Sequence, residues 1–553
     1  MRRFFVLIWL LLLGACRPEP TPISSPVAWQ PGRITFRNVA NEVGLDFQHG
    51  AFHWEMSGDA AAMMGGGLCW LDYNNDGWLD LFVVNSYAEA EAGRWENEGG
   101  GLPRTALFRN DEGHFSDVSD PAGAALPLRG NGCVAADFNL DGWSDIYITT
   151  ARFAMLLWNN GDGTFHEGAE AAGVGAYGWQ TAAVVGDLNR DGWPDLFVAG
   201  YVDVNNPLPE ATLGFPNTFL GRRDLLFINQ GGTTFREVGE LVGLERENFE
   251  YGLGASFSDF DADGDLDLYV ANDTNPNRLY ENVPMEADPE GLGFRLHEVG
   301  TPAGVDDPNS GMGVASGDFN GEGRFDLLIT NMGQQLHAVY MNHTVTNTLQ
   351  FDEALATFGS PNLGLIWTGW GTSWADVDLD RDLDLFVVNG KIPVMDLAAD
   401  AQPTQLFGNL TAQGRPGRFE EWSDPAGFVD IGPLLGRGGA VADFDNDGDP
   451  DIAINTIGGR LALIQNEGAT GNWLTVQLEG FQPGAVVTAV LPGGRTLRRE
   501  LHAGSSYLSS EDPRLLFGLG PAGVVSDLYI QWPDGQQSHL QAITANQVVV
   551  VEK

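Results

Sequence analysis

Residues 72–85 read DYNNDGWLDLFVVN. Asp72, Asn74, Asp76 and Asp80 stand at positions 1, 3, 5 and 9 of a tight turn, with Gly77 at position 6. Carboxylates held this close repel, by roughly 4 kcal/mol for a pair about 4 Å apart at a surface-like dielectric. A hard divalent cation with oxygen ligands removes that repulsion, and Ca²⁺ accepts the irregular coordination such a turn offers. Glycine at position 6 permits the bend that turns alternate residues inward. A helical calcium loop would place a bidentate Glu at position 12 and open a helix. Position 12 here is Val83, inside the run LFVVN, which is short, β-branched and aromatic and reads as a strand. The turn is the tip of a calcium-binding β-hairpin, and the helical reading fails.

The turn returns six times, its copies starting 50 to 72 residues apart. The expected ligands are Asp137, Asn139, Asp141 and Asp145 in the second copy, and Asp187, Asn189, Asp191 and Asp195 in the third. The fourth offers Asp259, Asp261, Asp263 and Asp267; the fifth Asp318, Asn320, Glu322 and Asp326. The sixth offers Asp376, Asp378, Asp380 and Asp384, and the seventh Asp443, Asp445, Asp447 and Asp451. Position 12 is an apolar strand residue in every copy. Up to seven structural Ca²⁺ are expected. A recurrence of this length points to a propeller or solenoid.

Six copies carry Gly seven and five residues before the first Asp, as in GGGLCWLD (65–72) and GMGVASGD (311–318); QTAAVVGD (180–187) departs. Glycine inside a strand marks close approach of another backbone, as at the crowded axis of a propeller. After each hairpin comes a strand such as ALFRN (106–110) or LLFIN (225–229), then one like HFSDV (114–118) or TFREV (234–238). That makes four strands per blade. The seventh copy lacks the last of these, and ITFRNV (34–39) supplies it from the other end of the fold. The expectation is an all-β chain: a seven-bladed β-propeller closed by its N-terminal strand, followed by a small C-terminal β domain.

This pattern resembles the FG-GAP/VCBS repeats of integrin α-subunit heads and many bacterial surface proteins. It covers residues 34–468. From 469 to 553, the stretches AGSSYLSSEDPRLLFGLG (503–520) and YIQWPDG (529–535) resemble the ASPIC/UnbV domain. The pairing is similar to the cartilage acidic protein family and its bacterial relatives. The resemblance implies a calcium-bound extracellular scaffold. Two loops depart from the repeat: Arg381 replaces the glycine of the sixth, and Glu322 replaces Asp in the fifth. Tight calcium binding is open at those two.

The chain has 553 residues, 73 of them Gly, and a formal charge of −46. Seven divalent cations would leave roughly −32, so much of the acidity is solvated surface. Nucleic acid and anionic lipid are poor partners for such a charge. MRRFFVLIWLLLLGAC (1–16) reads as a signal peptide ending in a lipobox, with Cys16 the lipidated residue. The Pro-rich segment 17–33 reads as a tether. The expected location is the bacterial cell envelope, outside the cytoplasm, with the lipid as membrane contact. Cys69 and Cys133 fall on predicted innermost strands of adjacent blades. A bridge between facing blades is open to them, but two buried free thiols are expected.

Long links at 85–105, 200–224 and 389–405, with the lead-in 47–65, leave on the face opposite the acidic tips. Such links carry function on rigid scaffolds. Tyr87, Trp95, Arg104, Tyr201, Phe215, Phe219, Arg222 and Lys391 are the candidate contacts for a partner. The functional expectation is adhesion or binding of an extracellular protein or glycan. The alternative is an envelope hydrolase or lyase with an acidic pocket on the channel, for which no catalytic residues stand out.

Overall fold

A computed structural model describes residues 34–208, 214–244, 250–345, 348–360 and 362–553. The predicted signal peptide, Cys16 and the tether lie outside them. Among the described residues, strands form seven four-stranded antiparallel sheets that follow one another along the chain. In the first, Leu68–Leu71 pairs with Asp80–Val83 across the acidic turn, followed by Ala106–Asp111 and His114–Asp117. The next five repeat this order. In the seventh, Gly436–Ala442, Asp451–Thr456 and Ala462–Glu467 are completed by Thr35–Asn38, with Thr35 opposite Glu467 and Asn38 opposite Ile464. Blade one lies against blade seven. The Gly438 N–H donates to the Gly66 carbonyl at 3.1 Å, and the Asn455 amide donates to the carbonyls of Gly67 and Val84. The ring is joined at its two ends by backbone pairing and by side chains.

The glycines before each turn sit where the innermost strands converge. A Cβ on Gly371 would stand 2.6 Å from the Gly439 nitrogen of the next blade, so a side chain there would push two blades apart.

A second repeated device ties the blades together. The third strand of every blade carries an Asn at or near its end: Asn110, Asn159, Asn229, Asn282, Asn342, Asn409 and Asn466. Each backbone N–H donates to the position-9 Asp of its own loop at 2.8–3.0 Å. Each side-chain amide donates to the position-2 carbonyl of the preceding blade: Phe444, Tyr73, Phe138, Leu188, Phe260, Phe319 and Val377 in turn. Replacing Asn229 by Ala strands the Phe138 carbonyl and the Gly232 N–H in a buried site. An unsatisfied buried group costs about 1–3 kcal/mol, so Asn229→Ala is expected to lower stability by about 3 kcal/mol in urea unfolding.

Cys69 and Cys133 are joined in a disulfide, which corrects the expectation of free thiols. Their strands belong to neighbouring blades, so opposite faces look into one gap. Cys69 lies opposite Phe82 and Cys133 opposite Ile148, side by side in one buried cluster.

Beyond Glu467 the chain builds a small sandwich. Asn472–Leu478 lies between Leu515–Gly520 and Val548–Val551 in one sheet. Thr496–Glu500, Val486–Val490, Val524–Gln531 and Gln537–Thr544 form the other. Leu474, Val476, Val487, Phe517, Leu528 and Trp532 fill its core. It rests on the acidic-tip side, where Arg498 donates to the Gly323 carbonyl at 2.5 Å and Arg514 to the Asp443 carbonyl at 2.8 Å.

Between its strands, residues 503–514 run into the axis of the propeller and bond to one inner strand after another. Val185 donates to the Ala503 carbonyl at 2.8 Å, and Val314 and Ser506 exchange two bonds of 2.9 Å. Thr372 donates to the Ser506 hydroxyl, Cys133 to the Leu508 carbonyl, and Trp70 to the Ser510 carbonyl; Asp512 donates to Val441. Glu500, just upstream, accepts from Ser258 and from the Asp259 N–H on the remaining blade. The inner strands otherwise present unpaired edges to the channel, a costly arrangement if left dry. The segment covers those edges and occupies the channel in which the enzyme alternative would place its chemistry.

Candidate functional site

Two regions of the molecule carry chemistry: the acidic tips on one face and a cavity on the other.

Five of the seven tips fold on themselves through the first Asp. The Asp72 carboxylate accepts the N–H groups of Asp76 at 3.1 Å and Gly77 at 2.9 Å, and Asp137, Asp187, Asp318 and Asp376 repeat this. The carboxylates are thereby drawn inward. In three loops they converge: Asp259, Asp261 and Asp263; Asp376, Asp378 and Asp384; Asp443, Asp445 and Asp451 each bring oxygens within 4.8 Å of one another. Burial pushes Asp80 and Asp145 up to about 8, and burial with its acidic neighbours pushes Asp380 up to about 9.

Several oxygens are also left without partners. Oδ1 of Asp259, Asp443 and Asp445 and Oδ2 of Asp326 and Asp451 are buried and accept no hydrogen bond. Partnerless carboxylate oxygens facing one another in a buried turn are the donor set a hard cation takes. The residues present fit Ca²⁺.

The loops are not equivalent. In the first, second, third and fifth, the position-3 Asn donates its amide to the residue at position 5. Glu322 also pairs with Arg324 at 2.7 Å, which satisfies part of the fifth site without metal. The sixth loop forms its cluster despite lacking glycine, because Arg381 takes the left-handed conformation itself, with φ of 89°. Sequence reasoning passed over position 7, where the fourth, sixth and seventh loops add Asp265, Asp382 and Asp449. Burial raises Asp265 to about 8 and Asp449 to about 9, and both keep an unpartnered Oδ1. Asp382 is neutralised by Arg495 of the C-terminal domain. The run of four alternating acids in DFDADGD was the signal for it.

The position-9 Asp residues do more than face the turn. Asp80, Asp145, Asp195, Asp267 and Asp384 accept the position-2 N–H of their own loops as well as the Asn N–H described above. They tie each tip to its blade.

On the opposite face the long links surround a cavity of about 610 Å³. Met56, Met63, Met64, Met312, Met332 and Met395 line it, six of the chain's ten methionines. Tyr201, Phe215 and Trp370 add aromatic wall, and Asp273, Thr274, Ser57 and Ser310 the polar part. Below it Trp370 meets Tyr507, the innermost residue of the axial segment, at a ring distance of 4.9 Å. Arg437 lies 4.0 Å over the Trp370 ring and donates to the Met63 carbonyl.

The candidate partner contacts divide accordingly. Tyr201 and Phe215 line the cavity; Phe215, Phe219 and Arg222 line an adjoining cleft with the exposed pair Phe153 and Tyr177. Tyr87 is buried. Trp95 packs on Trp54 and His53, Arg104 pairs with Asp120, and Lys391 with Asp400. The cleft residues Arg129, Arg152, Phe153 and Tyr177 were not singled out from sequence, since they come from shorter connections.

Residues 477–553 match the ASPIC and UnbV family, and residues 72–148, 137–198 and 259–329 match the FG-GAP-like repeat. The chain is 28% identical over 319 residues to "Cartilage acidic protein 1" of Mus musculus, covering 56% of this chain and 46% of that protein. The Homo sapiens protein of the same name is 27% identical over 318 residues, covering 56% and 44%. The match thus spans less than half the length of these curated relatives. Among solved structures, one concerned with recognition of non-reducing terminal N-acetylglucosamine by an Agrocybe aegerita lectin aligns with TM-score 0.39 and 16% identity, over 67% of this chain and 89% of that one. BBS1N in complex with ARL6DN aligns with TM-score 0.40 and 9% identity, over 73% and 92%.

Proposed function

We propose that this chain, which carries FG-GAP-like repeats and a C-terminal ASPIC and UnbV domain, is a calcium-bound binding scaffold of the cell envelope. Lipid on Cys16 holds it at the membrane, and the loop-rich face takes an extracellular protein or glycan. The observation that carries the reading is the division of labour between the two faces. Buried carboxylate oxygens without partners gather in the tips on one side, and the cavity and cleft lie on the other. Calcium in this reading is structural: its ligands come from consecutive residues of one hairpin and leave little of the ion open for Lewis-acid chemistry. Residues 503–514 fix the blades from within, so the far face is a rigid surface on which long links present side chains.

The test is capture from native envelopes on immobilised full-length protein, in calcium and in EDTA. A defined protein or polymer is expected to be retained in calcium, released by EDTA, and lost when Phe215 and Phe219 are both changed to Ala. Retention that ignores both EDTA and the double change would overturn the reading.

A further inference from the structure

The methionine-lined cavity has a chemistry more specific than a general contact surface. Its walls are thioether and aromatic, a lining that adapts to an apolar body. Its polar end is one carboxylate. Asp273 accepts the Tyr201 hydroxyl on Oδ2 at 2.8 Å, and among the described residues no Lys, Arg or His nitrogen forms an ion pair with it. Beside it, Ser310 is 1% exposed and its hydroxyl is directed at the Asp273 carboxylate. The Ser57 hydroxyl, also on the lining, is buried without a partner. The carboxylate has hydrogen bonds but no cation beside it, and the Ser57 hydroxyl has no partner, at the end of an otherwise apolar chamber.

We propose that this cavity binds a small organic cation, an ammonium group attached to an apolar or aromatic body. The ammonium faces Asp273 and Ser310, and the body lies among the methionines. Three observations select this class. A neutral apolar molecule would leave the carboxylate without a counter-charge. An anion would meet Asp273 directly, in a chain of formal charge −46. A cation meets both the carboxylate and the exposed Phe215 ring on the wall. The inference rests on the reading of the loop-rich face as the binding face, and names a ligand chemistry for it.

The experiment is calorimetric titration of calcium-loaded, full-length protein with phenethylammonium, and with 2-phenylethanol and phenylacetate as its neutral and anionic counterparts. Phenethylammonium is expected to bind at least tenfold more tightly than the alcohol, and phenylacetate not at all. Asp273→Asn is expected to abolish that preference while leaving the alcohol unchanged. Equal binding of amine and alcohol, no binding of the amine, or an unchanged preference in Asp273→Asn would each overturn the proposal. The amine–alcohol comparison is made on the unaltered protein, so it decides the matter even if Asp273→Asn does not fold. If the amine fails while envelope capture persists, only the ligand assignment falls; if both fail, the binding face falls with it.

Discussion

Stripping divalent cations with EDTA is expected to lower the melting temperature by on the order of 15 °C, with millimolar calcium restoring it. A ligand at about 100 times its dissociation constant stabilises the state it binds by roughly 2.7 kcal/mol per site. The three loops with converging carboxylates would alone supply about 8 kcal/mol at that occupancy, and each kcal/mol is worth about 2 °C or a little more in a large domain. The sign follows from the tips themselves. Without a cation, oxygens of Asp259, Asp443, Asp445 and Asp451 stay buried, partnerless and close to like charges. The position-9 Asp residues of the same tips hold the Asn that reaches the preceding blade, so a loosened tip weakens an inter-blade bond. Magnesium is expected to restore far less than calcium, because it demands a near-octahedral shell that an irregular turn does not supply. A melting curve identical in EDTA and in calcium would remove metal from the account.

Much of this fold was legible because its repeat has a chemical reason. Asp and Asn at alternate positions around a glycine cannot be mistaken for strand, and an apolar residue at position 12 excludes the helical version of the loop. The displaced strand at 34–39 was legible by subtraction, since the seventh blade was one strand short. The axial segment was not. AGSSYLSSEDPR has neither a period of two nor a helical one, and its small residues read as loop. They are small because a narrow channel leaves no room: Val185, Cys133 and Trp70 must each bring a backbone N–H up to it. The disulfide was open for a related reason, since offset by one residue puts Cys69 and Cys133 on opposite faces of their own strands, and only the packing of neighbouring blades makes those faces meet. The cavity was invisible because Met56, Met312, Met332 and Met395 are separated by long stretches of chain and converge only when the ring closes. Asn110 and its six counterparts were in view toward the end of every third strand, yet nothing in one blade reveals that the amide serves the blade before it.

Tyr507→Ala is expected to cost about 4 kcal/mol, in the range measured for removing a buried aromatic ring, read as a fall in the urea midpoint. The residue is fully buried at the end of the axial segment. Its ring packs on Trp370, and its hydroxyl donates to the Met64 carbonyl at 3.1 Å. Truncation leaves a cavity that cannot easily collapse, because the inner strands around it are bonded to Ser506 and Leu508 on either side of the gap. The Met64 carbonyl loses its donor as well. Tyr507→Phe isolates that second part and is expected to cost only about 1 kcal/mol, the net value of an ordinary hydrogen bond. The two variants together separate an axle from a spacer. If the segment merely fills the channel, alanine is tolerated, because its neighbours on either side keep their backbone bonds. If it holds the blades in register, alanine loosens Trp370, and with it Arg437, stacked 4.0 Å over the same indole and bonded to the lead-in through Met63. Limited proteolysis reads this directly: in Tyr507→Ala the lead-in around residues 56–64 becomes cleavable at denaturant levels where the unaltered chain resists, because local opening there no longer has to break the Tyr507 contact. An unchanged midpoint and an unchanged digest would show that the propeller stands without its axle.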